Sequence, residues 1–306
     1  MPLILRVAAV LLLCSAAVCA QPAGGRSDDV LVLGRISDDP ARHHEQLRPL
    51  LDYVVPRLAG VGIREGRILM ARDSQQMASY LRRGRVDWVT ETAATGLVLA
   101  ERSGARVLVA TERDGTALYH SVVFVRRDSG IRGIADLRGR SIAFQNLNST
   151  SAYYAPAAAI LAAGLPMEIL LSPNDRPQAD GVGYLFARSE NNISTWVHKR
   201  LVDASAYSNI DWGNLHRLPQ SYREDLVVIH ATEPFPRALE VVRAGLSADR
   251  EARLREVLLA AAEDPEAREP LAHFFGTNRF VAVEGELQAS LVRLAADVRR
   301  VRGALE

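Results

Sequence analysis

Residues 136–156 read DLRGRSIAFQNLNSTSAYYAP. A helical turn leads into a short apolar strand, Ser141 to Phe144, then a polar loop, and a helix is predicted to begin around Asn148, Ser149, Thr150 and Ser151. The start of a helix leaves backbone N–H groups unpaired and carries a partial positive charge. Three successive hydroxyl residues add donors that can turn toward one point. The combination suits a tetrahedral oxyanion such as phosphate, phosphite or a phosphonate. Ser and Thr also cap ordinary helices, so the local pattern leaves both readings open and the surrounding chain has to decide.

Upstream, apolar runs and helical periods alternate. Val30–Gly34, Arg67–Ala71, Val86–Val89 and Arg106–Thr111 read as strands. Between them, Leu47, Leu50, Leu51, Val54, Val55 and Leu58 recur at helical spacing, and Ser74–Arg83 and Thr92–Ser103 continue the pattern. Such alternation implies an α/β fold with a mainly parallel sheet covered by helices. Downstream, Val182–Phe186 and Val202–Tyr207 read as strands and Ile193–Arg200 as a helix. From Pro236 onward the chain reads as helical. Two extended runs, Tyr119–Val125 and Leu226–Ala231, can carry the chain out to a second lobe and back. The predicted organisation is therefore nested: residues 21–118 with 227–306 form one lobe and 119–226 the other. Open α/β sheets bind ligands at the carboxyl ends of their strands, and in two lobes those ends face a common cleft.

The first 20 residues read as a cleavable export signal. Arg6 supplies the positive start, Val7–Leu13 an apolar run, and Val18 and Ala20 the small residues before a cleavage site. The run is short for a membrane span. The expected location is periplasmic. Cys19 opens the alternative of a lipid anchor, although Ala16, Ala17 and Val18 fit a lipoprotein cleavage box poorly. Both cysteines, Cys14 and Cys19, fall in this segment. The cleaved chain would hold no disulfide and no thiolate site. It would also lose one of 37 basic residues and none of 36 acidic ones, leaving a formal charge of zero. That balance argues against a nucleic-acid partner.

Three ordered stretches resemble the substrate-binding proteins of phosphate, phosphite and phosphonate ABC importers. They are RRGRVDWVTET (residues 82–92), YHSVVFVRRDSGIRGIADLRGRSIAFQNLNSTSAYYAP (119–156) and VGYLFARSENNISTWVHKRLVDASAYSNIDW (182–212). The resemblance implies a type II periplasmic binding protein: two α/β lobes with mixed, mainly parallel sheets and a ligand cleft between them. It also implies a small anionic or zwitterionic ligand, an ABC permease in the inner membrane as partner, a monomer, no cofactor and no catalysis. Asn148, Ser149, Thr150 and Ser151 match the hydroxyl-rich helix start that holds the phosphorus oxyanion. Tyr119 matches the aromatic at the start of the crossing strand, whose phenol can hydrogen-bond an oxygen from the opposite lobe or simply pack in the hinge. Glu91 and Thr92 stand at the end of a first-lobe strand, where a carboxylate can receive an ammonium group of the ligand or simply sit at a helix start. Asp211 matches an acidic position near the cleft, where it can pair with a ligand amine or simply cap a helix. Glu190 and Asn191 stand where some relatives carry a histidine, a departure that leaves the head group open, as do Ala93 and Ala94 after the acid and hydroxyl.

Other chemistry finds little support. There is no GxSxG elbow and no HExxH helix, and the histidines do not fall at metal-ligand spacing. The GVG run at Gly181–Gly183 lacks the third glycine of a dinucleotide loop. Trp88, Trp196 and Trp212 read as core. The main rival function is a ligand sensor of the same fold that signals in trans to a membrane receptor kinase.

Overall fold

The computed structural model describes residues 28–306, and the expected export signal lies outside the described residues. Along the chain, β1 (Val30–Ile36), α1 (Pro40–Arg57), β2 (Glu65–Ala71), α2 (Ser74–Arg82), β3 (Trp88–Thr92), α3 (Ala93–Ser103) and β4 (Arg106–Arg113) alternate. A two-residue strand, β5 (Leu118–Tyr119), crosses to a second half. That half holds β6 (Ser121–Arg126), β7 (Arg140–Phe144), α4 (Ala155–Ala162), β8 (Met167–Ile169), β9 (Val182–Phe186), α5 (Glu190–His198), β10 (Ala204–Ser208), α6 (Asn209–Gly213), α7 (Gln220–Arg223) and β11 (Leu226–Ala231). The chain returns through β12 (Phe235–Pro236) and ends with β13 (Ala238–Val242), α8 (Ala248–Ala260), α9 (Arg268–His273), β14 (Thr277–Val281) and α10 (Gly285–Leu305).

Two six-stranded sheets result, ordered β14-β4-β13-β3-β1-β2 and β11-β6-β10-β7-β9-β8, with β5 and β12 paired between them. Parallel pairing links β2, β1 and β3 in the first sheet and β10, β7, β9 and β8 in the second. Antiparallel pairing adds β13, β4 and β14 to the first and β6 and β11 to the second. The chain is an α/β protein of two lobes.

Strand β1 shows why the sequence folds this way. Its side chains alternate between faces, and helices cover both, so the run is apolar from Val30 to Leu33 and carries a charge only near its carboxyl end, at Arg35. Leu31 and Leu33 pack with Leu47, Leu50, Leu51 and Val54 of α1 and with Trp88. Val30, Val32 and Ile36 pack on the other face with Met77, Leu81, Val98 and Leu99.

Two sequence expectations need correction. The region after Pro236 is not wholly helical, because Ala238–Val242 and Thr277–Val281 are strands of the first sheet. Ala, Leu and Glu in the run ALEVV favour a helix in isolation, but burial between β3 and β4 overrides that preference. Likewise, β11 pairs with β6 in the second sheet through Ala231, beyond the boundary at residue 226 drawn from the sequence. The return crossing lies at Phe235–Pro236, opposite Leu118–Tyr119.

Helix α10 spans both lobes. Leu287, Leu291, Leu294, Val298 and Val301 join a core that also contains residues of α3 and α4. At its end, Glu306 accepts from Arg102 Nη2 at 3.0 Å and lies 3.4 Å from the Tyr154 hydroxyl of the other lobe.

Gly183 of the GVG run sits within β9, where an added Cβ would stand 2.6 Å from Leu170 Cδ1 and 2.8 Å from its Cγ. The glycine thus makes room for a packed leucine. Gly183→Ala should destabilise the fold by about 1–3 kcal/mol through overpacking, read as a lower urea midpoint with an unchanged m-value.

Candidate functional site

The order of the first sheet sets one rim of the cleft. The carboxyl ends of β1, β3 and β4 and the start of β13 lie side by side. Arg35, Glu91, Arg113 and Arg237 therefore converge from positions far apart in sequence. Sequence reasoning missed all three arginines. The signal available was a charged residue at the end of each strand, where open sheets bind ligands.

The arginines are held but not satisfied. Arg35 Nη1 donates to the Thr90 carbonyl at 3.1 Å. Its guanidinium and that of Arg113 lie 4.3 and 4.8 Å from the centre of the Phe275 ring, distances at which cation–π attraction operates. Arg237 lies 5.1 Å from the Tyr119 ring and reaches the exposed Asp114 at 3.3 Å. Arg35 Nε, Arg113 Nε and Nη2, and Arg237 Nε are nevertheless buried with no acceptor in the protein. Burial, aided by repulsion from Arg35, pushes the Arg113 guanidinium down to about 10, still protonated at neutral pH. Below the rim, buried Glu240 accepts from Trp88 Nε1 (2.6 Å), Thr90 Oγ1 (2.8 Å) and Thr111 Oγ1 (2.8 Å). Its carboxyl is pushed up by burial against those hydrogen bonds and the nearby Arg113 charge.

Glu91 stands on the same rim but turns into the backbone. Its Oε1 accepts the Ile36 N–H at 2.8 Å, while four residues earlier Asp87 Oδ2 accepts the Val32 N–H at 2.8 Å. The two carboxylates bracket the short β1–β3 ladder and satisfy amides that β3 leaves unpaired. Burial raises the Glu91 pKa, with the Arg35 charge opposing it. Asp87 also takes Arg243 Nε at 2.7 Å.

The hydroxyl-rich start expected from the sequence lies directly across the cleft. Ser149 is an N-cap: its Oγ accepts the Ala152 N–H at 3.0 Å. A tight turn, Thr150–Tyr154, with non-helical backbone at Ala152, then leads into α4. Thr150 Oγ1 accepts the Ala94 N–H of α3 at 2.9 Å. Thr92 Oγ1 and Thr95 Oγ1 donate to the Asn148 carbonyl at 2.6 and 2.9 Å. These three bonds join the lobes directly. Burial raises the pKa of the Tyr119 phenol, with nearby Ser151 opposing the rise. Ser121 Oγ donates to the Ser151 carbonyl at 2.6 Å.

The remaining candidates lie further along the second lobe. Asn191 is exposed in the first turn of α5, its carbonyl taken by Thr195 Oγ1 at 2.8 Å. Its neighbour Glu190 accepts from Gln145 Nε2 at 2.6 Å. Asp211 accepts from Ser208 Oγ at 2.6 Å and lies 3.9 Å from Arg217 Nε. The structure thus brings together Asn148, Ser149, Thr150, Ser151, Tyr119, Thr92 and Glu91, and leaves Asn191 outside that group. Trp88 is fully buried, whereas Trp196 and Trp212 are partly buried against the second-lobe core.

Residues 36–287 match the model of the family described as ABC transporter, phosphonate, periplasmic substrate-binding protein. The chain belongs to this family of periplasmic substrate-binding proteins. The family places its members outside the cytoplasm and pairs them with a small ligand and a permease. The substrate-binding protein is 49% identical to XAC2383 from Xanthomonas citri, solved with a chloride ion, over 90% of this chain and 99% of that one, with a TM-score of 0.86. A second structure of XAC2383, bound to ATP, is 47% identical over 91% and 100%, also at 0.86. The fold is shared with PhnD1 from Prochlorococcus marinus in complex with methylphosphonate, at 16% identity, 89% and 99% coverage and a TM-score of 0.64.

Two expectations follow from this geometry. Thr150→Val keeps the shape but removes the acceptor of the Ala94 N–H, so it should cost about 1–3 kcal/mol for a buried unsatisfied donor. The expected readout is a lower melting temperature and a larger radius of gyration in X-ray scattering as the lobes part. The second concerns Glu240. A carboxyl raised by burial keeps its proton above the ordinary value of 4.5, so the folded state binds more protons than the unfolded one there and loses stability as pH rises. Glu240→Gln should remove that component. Urea unfolding should show the variant gaining on the wild type as pH rises from 4.5.

Proposed function

We propose that this substrate-binding protein captures a small phosphorus oxyanion between its lobes and presents it to an ABC permease, with Arg35, Arg113 and Arg237 as the principal anion ligands. The observation that carries this reading is the set of buried guanidinium nitrogens that no protein acceptor reaches. Burying such donors unpaired is costly, and guanidinium groups suit phosphoryl and phosphonyl oxygens because their donors form a planar fork. The chloride and ATP bound to XAC2383 support a cleft that attracts anions.

On this reading Tyr119 and Ser151 meet the ligand from the hinge and the second lobe. Thr150, Asn148 and Thr92 chiefly join the lobes, and Ser149 shapes the turn that aims them. Glu91 closes the β1–β3 ladder. Asp211 and Asn191 are assigned no direct contact with the ligand. A phosphorus oxyanion fits better than a generic anion because several donors approach from separate strands, which a three- or four-oxygen tetrahedral head can engage together. We further assign cleavage after Ala20 and release of a soluble monomer to the periplasm.

Calorimetric titration with phosphate, phosphite, methylphosphonate and ATP tests the reading, with melting temperature followed in parallel. A ligand at 100 times its Kd should stabilise the protein by about 2.7 kcal/mol. Arg113→Met retains much of the packing on Phe275 and removes the charge. It should weaken binding by about 1.5–3 kcal/mol, the usual worth of a hydrogen bond to a charged group, without lowering the melting temperature of the ligand-free protein. Binding unaffected by Arg113→Met, or no binding of any of the four, would sink the assignment.

A further inference from the structure

We infer that the ligand of this site is wholly anionic, a phosphorus oxyacid or phosphate ester that carries no ammonium group. The inference rests on the anion site proposed above and narrows its substrate class. It follows from matching the donors and acceptors around the cleft one by one.

An ammonium group needs a carboxylate or carbonyl with free lone pairs aimed at it. Glu91, the carboxylate on the cleft rim, is buried at 3% exposure and its Oε1 takes the backbone amide of Ile36. Glu240 accepts three hydrogen bonds from its own sheet. Glu190 is taken by Gln145 and lies 3.6 Å from Arg217 Nη1. Asp211 Oδ2 takes Ser208 Oγ at 2.6 Å and its Oδ1 lies 3.9 Å from the cationic Arg217 Nε, so its charge is already partly matched. The Asn148 carbonyl, the best-placed backbone acceptor, already takes two hydroxyls from the opposite lobe. The remaining carboxylates on nearby connections, Asp38, Asp114 and Glu233, are exposed, where solvent weakens any ion pair.

The donors show the opposite imbalance. Four guanidinium nitrogens from three arginines are buried without an acceptor. A ligand ammonium entering this pocket would meet three like charges in a medium that screens poorly. A second anionic group on the ligand would instead meet donors that are still unmatched. The site thus opposes an amine chiefly by repulsion, and specificity of this kind depends on the repulsive element as much as on the attractive one.

An isosteric pair isolates the charge. 2-Aminoethylphosphonate and n-propylphosphonate have nearly the same shape and differ in one ammonium group; phosphonoacetate adds a carboxylate instead. Titration of the purified protein at fixed pH and ionic strength should give propylphosphonate at least about tenfold tighter binding than 2-aminoethylphosphonate, as expected for one poorly screened like-charge contact. Phosphonoacetate should bind at least as tightly as propylphosphonate. In Arg113→Met the gap between the isosteres should shrink severalfold, because the repulsion comes from the guanidinium groups. Equal or tighter binding of 2-aminoethylphosphonate would overturn the inference while leaving the anion site intact. A gap unchanged in Arg113→Met would also overturn it, by assigning the preference to shape. Failure of all three phosphonates, together with phosphate and ATP, would remove the anion site itself and the inference with it.

Discussion

Guanidinium groups placed where the protein gives them too few acceptors constrain the rest of this structure. Arginine nitrogens lose solvation when buried, and only opposite charge or hydrogen bonding offsets that loss. Here the offset within the protein is partial. Arg35 rests on the Thr90 carbonyl, Arg35 and Arg113 share the Phe275 ring, and Glu240 sits beneath with its own bonds to Trp88, Thr90 and Thr111. Each support comes from an element of the first sheet or from the chain entering it. The sheet order β14-β4-β13-β3-β1-β2 is what makes this possible, since it sets Arg113, Arg237 and Arg35 along a single edge. Sites are commonly less stable than they could be, because groups arranged for a ligand are poorly arranged for the protein alone.

The same edge shows how a carboxylate can stand in a cleft without serving the ligand. The β1–β3 pairing is only two residues long, Leu33 with Trp88 and Gly34 with Val89. Beyond each end a carboxylate replaces the missing carbonyl: Asp87 for Val32 and Glu91 for Ile36. A carboxylate accepts in more directions than a carbonyl, so it tolerates strands that diverge with the sheet twist. Arg35 and Arg243 then lie near charges that are already fixed. Glu91 therefore links strand geometry to electrostatics, and its burial leaves it poorly placed to follow a mobile amine.

How much of this was legible depended on whether the signal was local. The helix at Leu47–Leu58 and the strand at Val182–Phe186 follow from hydrophobic period, and they are visible in a few consecutive residues. The strand Ala238–Val242 was not, because Ala, Leu and Glu carry helix preference and only contact with β3 and β4 makes the segment extended. The hydroxyl cluster Ser149–Ser151 was legible as a special place, but its partners were not. That Thr150 meets the Ala94 amide depends on how one lobe faces the other. The arginines were the least legible. Residues 35, 113 and 237 have no spacing in common, and arginine is abundant throughout this chain. Only the sheet order makes them neighbours.

The division of labour across the cleft has a thermodynamic consequence. A ligand can favour the joined lobes only by interacting better with that arrangement than with the open one. Three direct hydrogen bonds already link Thr92, Thr95 and Ala94 to Asn148 and Thr150. At about 0.5–1.5 kcal/mol net for each, they make the joined arrangement accessible to the protein alone. On the proposed reading, desolvation and mutual repulsion of the arginines oppose it. On the proposed reading, an anion acts mainly by removing that opposition. Its binding energy then depends on charge more than on new contacts between lobes. Affinity should consequently fall with ionic strength to the extent that the cleft is still open when the anion arrives, because screening acts on exposed charges and far less on covered ones.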